Sequence, residues 1–323
     1  LTKISGIYPH TREQTIVALS KFKKKGPVDI DISTIEAYIH FASDEYDKAF
    51  REDNSYNQAW WDGALAMAGG GRTVNYLLYD TGFFAYRFAA GNSEDFDFGN
   101  GWFIHGCNHD NALNDFICHT QELLEAFPGY SIFLVKGDKR TFRHDLWPDY
   151  KKNRKDRRAP AGYGEFLEGL TEYAKGRGWL CGGFHNVEDD DVLGICSTDK
   201  TVIVSGDKDL LTIPGKHYRD GELVTVTEAQ ADAQFFKQAL MGDAIDGFPG
   251  CPGIGEKNKI FRSKEWVTAE TPAEYWVQVL YQYEKAGFDE LHAITMARLA
   301  RILRPGEYDL NAGTPHLWEP PVT

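Results

Sequence analysis

Residues 202–211 read VIVSGDKDLL, and this stretch decides the fold. The β-branched run TVIVS at 201–205 reads as a buried strand. It stops at Ser-Gly and delivers two carboxylates, Asp207 and Asp209, on either side of Lys208. Like charges raise each other's pKa, so the pair needs a positive partner. Two more runs have the same form. VNYLLYD (74–80) ends at Asp80, and SIFLV (131–135) is soon followed by Asp138. Between them lie helical spacings, first Leu113, Phe116, Ile117, Leu124 and Phe127, then Tyr163, Phe166, Leu167, Leu170 and Tyr173. Strands alternating with helices predict an α/β fold, a mainly parallel sheet with helices on both faces. Ligands of such sheets sit beyond the carboxyl ends of the strands, where these four aspartates fall.

The chain has 323 residues, 42% of them hydrophobic, which is enough for a substantial core. No apolar run nears the roughly 20 residues that a membrane span needs, so no membrane partner is expected. The formal charge of −13 argues against a general nucleic-acid binder. The charge is uneven, however, because YKKNRKDRR (150–158) is strongly basic and acids that hold cations drop out of the balance. Five scattered cysteines, an odd count, suit a reducing cytoplasm better than a disulfide framework. No secretory signal is read, and the cytoplasm is the expected compartment. HGCNHD (105–110) with Cys118 and His119 fits no strong zinc spacing.

Three regions are expected. Residues 1–72 carry no usable motif and read as an accessory segment. Within it a capping box at Ser33 and Glu36 opens a helical spacing, and Gly69–Gly71 reads as a hinge. Residues 73–226 form the α/β core. Residues 227–323 are mostly helical, with starts at Thr227/Gln230, Thr271-Pro272-Glu274 and Asp289.

The acids continue beyond the strands. VEDDDVLG (187–194) adds Glu188, Asp190 and Asp191 at the first turn of a helix, where the dipole favours them, while Asp189 reads as solvated. GDAIDGFPG (242–250) adds Asp243 and Asp246. So many converging carboxylates stay ionised only around divalent cations, and hard oxygen donors select Mg²⁺ or Mn²⁺. Two such ions about 3.5–4 Å apart can clamp an in-line attack on a phosphodiester. In DGFPGCPGIGEKNK (246–259), Pro249 and Pro252 stiffen a turn whose small Gly250, Gly253 and Gly255 let backbone N–H groups approach a phosphate. Gly255 is predicted to open the next helix, followed by Lys257. In the basic run, Tyr150, Lys152, Lys155, Arg157 and Arg158 read as DNA contacts, with Tyr150, Tyr163 and Phe142 as faces on which frayed bases stack. Core packing is the stronger reading for Phe142.

YKKNR, VEDDDVLG, VIVSGDKDLLTIP and DGFPGCPGIGEK together resemble the signature blocks of the 5′-nuclease superfamily, which includes flap endonucleases and the 5′-nuclease domain of DNA polymerase I. Within it the chain is most similar to the 5′→3′ exonucleases of T-seven-like short-tailed phages. The likeness covers about residues 73–320 and includes the late MARLARILRPGEYD and LWEP. It implies a nuclease core with a helix–three-turn–helix DNA-binding element. Asp80, Asp138, Glu188 and Asp190 look like a first-metal group, and Asp207, Asp209 and Asp246 like a second. Asp190 and Asp191 would be shared or outlying ligands, and Asp243 would act through water. Lys151 and Arg154 match the family's basic pair, which grips the scissile phosphate. The resemblance also implies a K⁺ ion held by backbone carbonyls near Gly250 to Gly255. Some positions depart from the pattern. YDTG stands where many relatives have DGD or DGN, VKGDK replaces a strand-terminal acid, and Asp189 stands where relatives have a small residue.

The implied activity is a Mg²⁺-dependent 5′→3′ exodeoxyribonuclease acting on double-stranded DNA with 5′ ends or flaps. RNA–DNA hybrids and replication proteins are further expected partners. A PIN-type ribonuclease shares the acids but normally lacks the glycine-proline turn. A HAD-type phosphatase shares only the DxD pair. A non-catalytic DNA-binding module would not need the full set of acids.

Overall fold

A computed structural model describes residues 75–99, 102–156 and 159–321. The segment 1–72, its capping box and its glycine hinge lie outside the described residues, as do Arg157 and Arg158.

The described residues fall into two compact units. The larger is built on a six-stranded sheet of β1 (Asn75–Asp80), β4 (Tyr130–Val135), β5 (Leu180–Gly182), β6 (Thr201–Val204), β7 (Gly215–Arg219) and β8 (Glu222–Val226). Their order is β5-β4-β1-β6-β7-β8, parallel throughout except for the antiparallel β7–β8 pair. Tyr76 to Tyr79 of β1 are all buried, whichever side of the strand they occupy. A strand covered on both faces reads as a continuous apolar run, and NYLLY does. Helix α1 (Thr81–Gly91) follows β1 without a break.

Topology sets the position of the site. From β1 the chain crosses to β4 and β5 on one side, then returns to lay β6 on β1's other flank and continues to β7. Strand order therefore reverses between β1 and β6, which opens a crevice beyond their carboxyl ends. Asp80 is the last residue of β1, and Asp207 follows β6 by three residues.

One apolar core of this unit gathers Leu78, Phe133, Val192, Leu193, Ile203, Ile213 and Leu303. It also takes Phe142, at the start of the short α3 (Phe142–Leu146). Its helix α5 (Asp189–Ile195) starts with Glu188 at the N-cap, as the acid block predicts. A second core joins α6 (Glu228–Met241), α8 (Pro272–Lys285) and α9 (Glu290–Ala300) through Phe235, Phe236, Trp276, Tyr283 and Met296. The expected capping residues Thr227, Thr271 and Asp289 open these three helices, each side chain accepting from the third backbone N–H onward.

One sequence expectation fails locally. No helix opens at Gly255. The chain stays irregular until a 3₁₀ turn at Lys259–Arg262, followed by the single-turn α7 (Lys264–Val267). Asn258, whose side chain accepts from the Ile260 N–H, supplies the cap instead. Pro252 and the left-handed Gly253 (φ +79°) hold the preceding residues out of helical geometry.

The smaller unit carries the hairpin β2 (Ser93–Gly99) and β3 (Trp102–Cys107) with α2 (His109–Ala126) and α4 (Tyr163–Gly176). The Cys107 N–H donates to the Ala161 carbonyl, and Phe116 meets Tyr173 edge-on. His105 of β3 bonds Asp95 at 2.9 Å, while Cys118 is exposed on α2 and His119 packs against Phe84.

Candidate active site

Asp80 is the anchor. It is 3% exposed. Its Oδ2 accepts from the Ser205 hydroxyl at 2.6 Å and its Oδ1 from the Phe83 N–H at 3.0 Å. Ser205 in turn accepts from the Asp207 N–H at 3.0 Å, so one hydroxyl ties the end of β1 to the loop after β6. Burial lifts the Asp80 carboxyl from 3.8 to about 7 against the pull of these hydrogen bonds, and Asp189 and Asp207 add to the rise. Burial likewise raises Asp190, with Asp80, Asp207 and Glu188 as further like charges.

Asp207 and Asp209 diverge. Asp207 Oδ1 accepts the Asp209 N–H at 2.9 Å, and Asp209 Oδ1 takes the Gln238 amide of α6 at 2.6 Å. Burial pushes Asp209 up to about 6, with Asp207 and Asp243 as the nearby like charges. Asp243 is turned into its own loop, where its Oδ1 accepts the N–H groups of Ile245 and Asp246 at 2.6 and 3.2 Å.

Glu188 faces the positive side. Lys151 Nζ lies 2.5 Å from its Oε1, Tyr150 Oη 2.9 Å and Arg143 Nη1 3.7 Å from its Oε2. Burial would raise this carboxyl, but Arg143 and Lys151 outweigh it and hold Glu188 below its usual range. Asp246 belongs to the same group. It pairs with Arg154, lies 3.7 Å from Lys151 Nζ and 3.0 Å from the Tyr150 hydroxyl. Lys151 itself has a left-handed backbone (φ +55°), and its N–H donates to the Asp246 carbonyl at 2.8 Å. The two expected phosphate-gripping cations therefore stand directly against two of the expected metal ligands.

Three expected site residues are placed elsewhere. Asp191 is fully buried, forked by Arg143 at 2.6 and 2.8 Å, and accepts the N–H groups of Glu188 and Leu303. With both oxygens engaged, it ties α5 to the chain after α9 and faces no cation site. Asp138 lies past the strand end because Lys136 and Gly137 intervene. It accepts the Asn186 N–H at 2.8 Å and faces His185 at 3.5 Å, whereas the like charges acting on Asp80 and Asp190 come from other acids. Tyr150 is 3% exposed and stacks on Phe248, so its ring offers no face to a base. Phe142 is core, with Arg143 over its ring.

The turn also divides. Gly250 is buried against Gly242. A Cβ on either would stand within about 2.3 Å of the other's backbone nitrogen, and both have positive φ. This contact closes a loop in which Asp243 and Phe248 exchange backbone hydrogen bonds, so Gly250 serves close approach and not phosphate contact. Gly253, Gly255 and Lys257 are exposed, as is Lys152 beside Asp149. Lys155 lies in the 3₁₀ turn Lys152–Asp156. In the turn, the carbonyls of Cys251, Gly253 and Gly255 already accept from Ile254 and Asn258, so a K⁺ ion there would have to share them.

Three contributors escape a reading of the sequence. Ser205 ends the strand adjacent to Asp80, and its position in TVIVSGD could mark it. Arg143 and His144 read in the sequence only as residues that could touch phosphate, and nothing in TFRHDL (141–146) marks Arg143 as the buried partner of Asp191. Asp189, expected to be solvated, is half-buried, and its Oδ1 accepts the Gly137 N–H at 2.6 Å. Burial raises its carboxyl, with the Gly137 hydrogen bond and Lys136 opposing.

Crowded, oxygen-only donors at a strand-order reversal fit a hard divalent cation in chemistry. Among the described residues, no three His, Cys, Asp or Glu side chains converge closely enough to hold an ion in their present orientations.

Comparison with known proteins gives the class. The family of 5′–3′ exonuclease N-terminal, resolvase-like domains matches residues 75–241. The exodeoxyribonuclease of Enterobacteria phage T3 is 32% identical over 252 residues, covering 66% of this chain and 82% of the relative. The exonuclease of Escherichia phage T7 is also 32% identical over 252 residues, covering 83% of that protein. Among solved structures, a T5 flap endonuclease crystallised with DNA and metal ions aligns at a TM-score of 0.48 and 19% identity, covering 70% of this chain and 88% of that one. The chain belongs to the 5′–3′ exonuclease family. Its activity is accordingly that of a 5′–3′ exonuclease, a phosphodiester hydrolase.

Proposed function

We propose that the substrate is duplex DNA with a free 5′ end and that hydrolysis depends on Mg²⁺ held at the crevice between β1 and β6. Asp80, Glu188, Asp190 and Asp207 would hold one ion, with Asp209 and Asp246 toward a second. When bound, such ions neutralise charge on the scissile phosphate and activate water for attack. The chain's own residues do the rest. Ser205 fixes the Asp80 carboxylate through a 2.6 Å hydrogen bond. Lys151 and Arg154, which pair with Glu188 and Asp246, would take a phosphate once those acids turn to cations, and their positive charge would stabilise the developing negative charge. The exposed Lys152, Lys257 and the glycine turn would track the strand by its backbone. The reading extends to 5′ flaps and to RNA–DNA hybrids, since backbone gripping reads no base. It also keeps a K⁺ ion at the turn, sharing the carbonyls near Gly253.

One observation carries this reading. Acids crowd at the reversal point of a parallel sheet, and Lys151 and Arg154 of the basic run stand beside Asp246 at its edge. The test uses 5′-labelled duplex DNA with Mg²⁺ or EDTA, for the wild type and the Asp207→Ala/Asp209→Ala double variant. Wild type should release the 5′ label only with metal, and the double variant should release none. Equal release by both proteins, or undiminished release in EDTA, would reject it.

A further inference from the structure

We infer that Asp189, through its Oδ2, is a direct ligand of the divalent cation beside Asp80. This rests on the metal-dependent reading above. Asp189 is the first residue of α5, directly after the N-cap Glu188. Its carboxylate is oriented by two glycines. The Gly137 N–H, just past the end of β4, holds Oδ1 at 2.6 Å. That approach needs glycine, because a Cβ at Gly137 would stand 2.3 Å from the Glu188 carbonyl carbon and 2.5 Å from the Asp189 nitrogen. The other oxygen, Oδ2, points toward Gly82 at the start of α1. A Cβ there would stand 2.6 Å from Asp189 Oδ2 and 3.9 Å from Asp80 Oδ1.

Two carboxylate oxygens from different elements thus lie against one glycine, and the Asp189 oxygen occupies the space that a side chain at residue 82 would need. One Asp189 oxygen is spent on orientation and the other is left facing Asp80. A helix-start acid with a solvated role would not be clamped in this way. The end of β4 itself carries Lys136 and Gly137 in place of an acid, and Asp138 beyond them turns to Asn186. Asp189 therefore brings from α5 the carboxylate that β4 does not bring to this side of Asp80.

The test is Mn²⁺ binding to the full chain by isothermal titration calorimetry, with no substrate present. Asp189→Asn keeps the Oδ1 acceptor for Gly137 and removes the charge and the Oδ2 donor. It should weaken Mn²⁺ binding by about tenfold or more, or remove one site, at an unchanged thermal midpoint. Gly82→Ala, a substitution that favours a helix, should weaken binding in the same sense by displacing Oδ2. Asp190→Asn should also weaken it, and Asp199→Asn, at an exposed turn, should not. If Asp190→Asn weakens binding while Asp189→Asn and Gly82→Ala match the wild type, Asp189 is only a helix-start anchor and the inference fails alone. If Asp190→Asn and Asp80→Asn also bind Mn²⁺ as the wild type does, the metal-dependent reading fails with it.

Discussion

Asp190 and Asp191 are neighbours on one helical turn, yet their chemistry is opposite. Asp190 sits among like charges with its proton held up. Asp191 is sealed against Arg143, whose guanidinium also donates to the carbonyls of Leu299 and Arg301. Removing one member of a buried pair strands the other charge, at a cost of roughly 3–5 kcal/mol. Asp191→Asn should therefore lower unfolding stability by that order in urea titration, and a loss under ~1 kcal/mol would show that Arg143 finds other partners. The raised acids make a second prediction. Burial lifts Asp80 from 3.8 to about 7, and Asp209 from 3.8 to about 6. Between those values the folded protein binds more protons than the unfolded chain, so its stability falls as pH rises through the window. Below it both states are protonated, and above it both are ionised. Glu188, with its carboxyl held low, acts in the other direction, but at more acid pH. The half-buried His109 and His119 and the buried His217, held low by burial, act in the other direction over the same range, so the test is a difference. In EDTA the wild type should lose thermal midpoint between pH 5 and pH 7.5 relative to Asp80→Asn, and Mg²⁺ should restore it. A wild type that gains midpoint relative to Asp80→Asn over this range would contradict the assignment.

At the level of elements, the strands and the cap-started helices are legible because each has a local signal. The apolar run into Asp80 and the boxes at Thr227 and Thr271 specify their own boundaries. The β7–β8 hairpin, not among the expected elements, carries an equally local signal. Asp220-Gly221 take left-handed φ of +51° and +84°, the turn that an Asp-Gly pair favours between two strands. The stretch after Gly255 departs from expectation because glycine at a helix start and glycine in an irregular turn look alike in sequence. The Gly242–Gly250 contact joins residues eight apart through their backbones, which no periodicity reveals. Gly250→Ala should cost more than ~1 kcal/mol, since its φ of +64° and the Leu240 carbonyl at 2.7 Å leave a Cβ no room. An unchanged urea midpoint would mean that the turn is looser than this geometry.

For the whole molecule, the sequence locates the site because a parallel sheet delivers strand ends to one rim. It does not say which acids reach that rim. Asp138 is two residues too late, Asp191 faces inward and Asp189 faces Asp80. Each outcome depends on partners far along the chain, such as Leu303 for Asp191 and Gly82 for Asp189. If the crevice acids hold divalent cations as proposed, part of the formal charge of −13 is offset at this rim. The central claim is that acids from β1, α5 and the loop after β6 share divalent ions. Anomalous scattering from crystals soaked in Mn²⁺ tests it most directly. The account predicts a peak within bonding distance of Asp80 and of at least two among Glu188, Asp189, Asp190 and Asp207. Peaks confined to other surfaces, with this rim empty at saturating Mn²⁺, would contradict it.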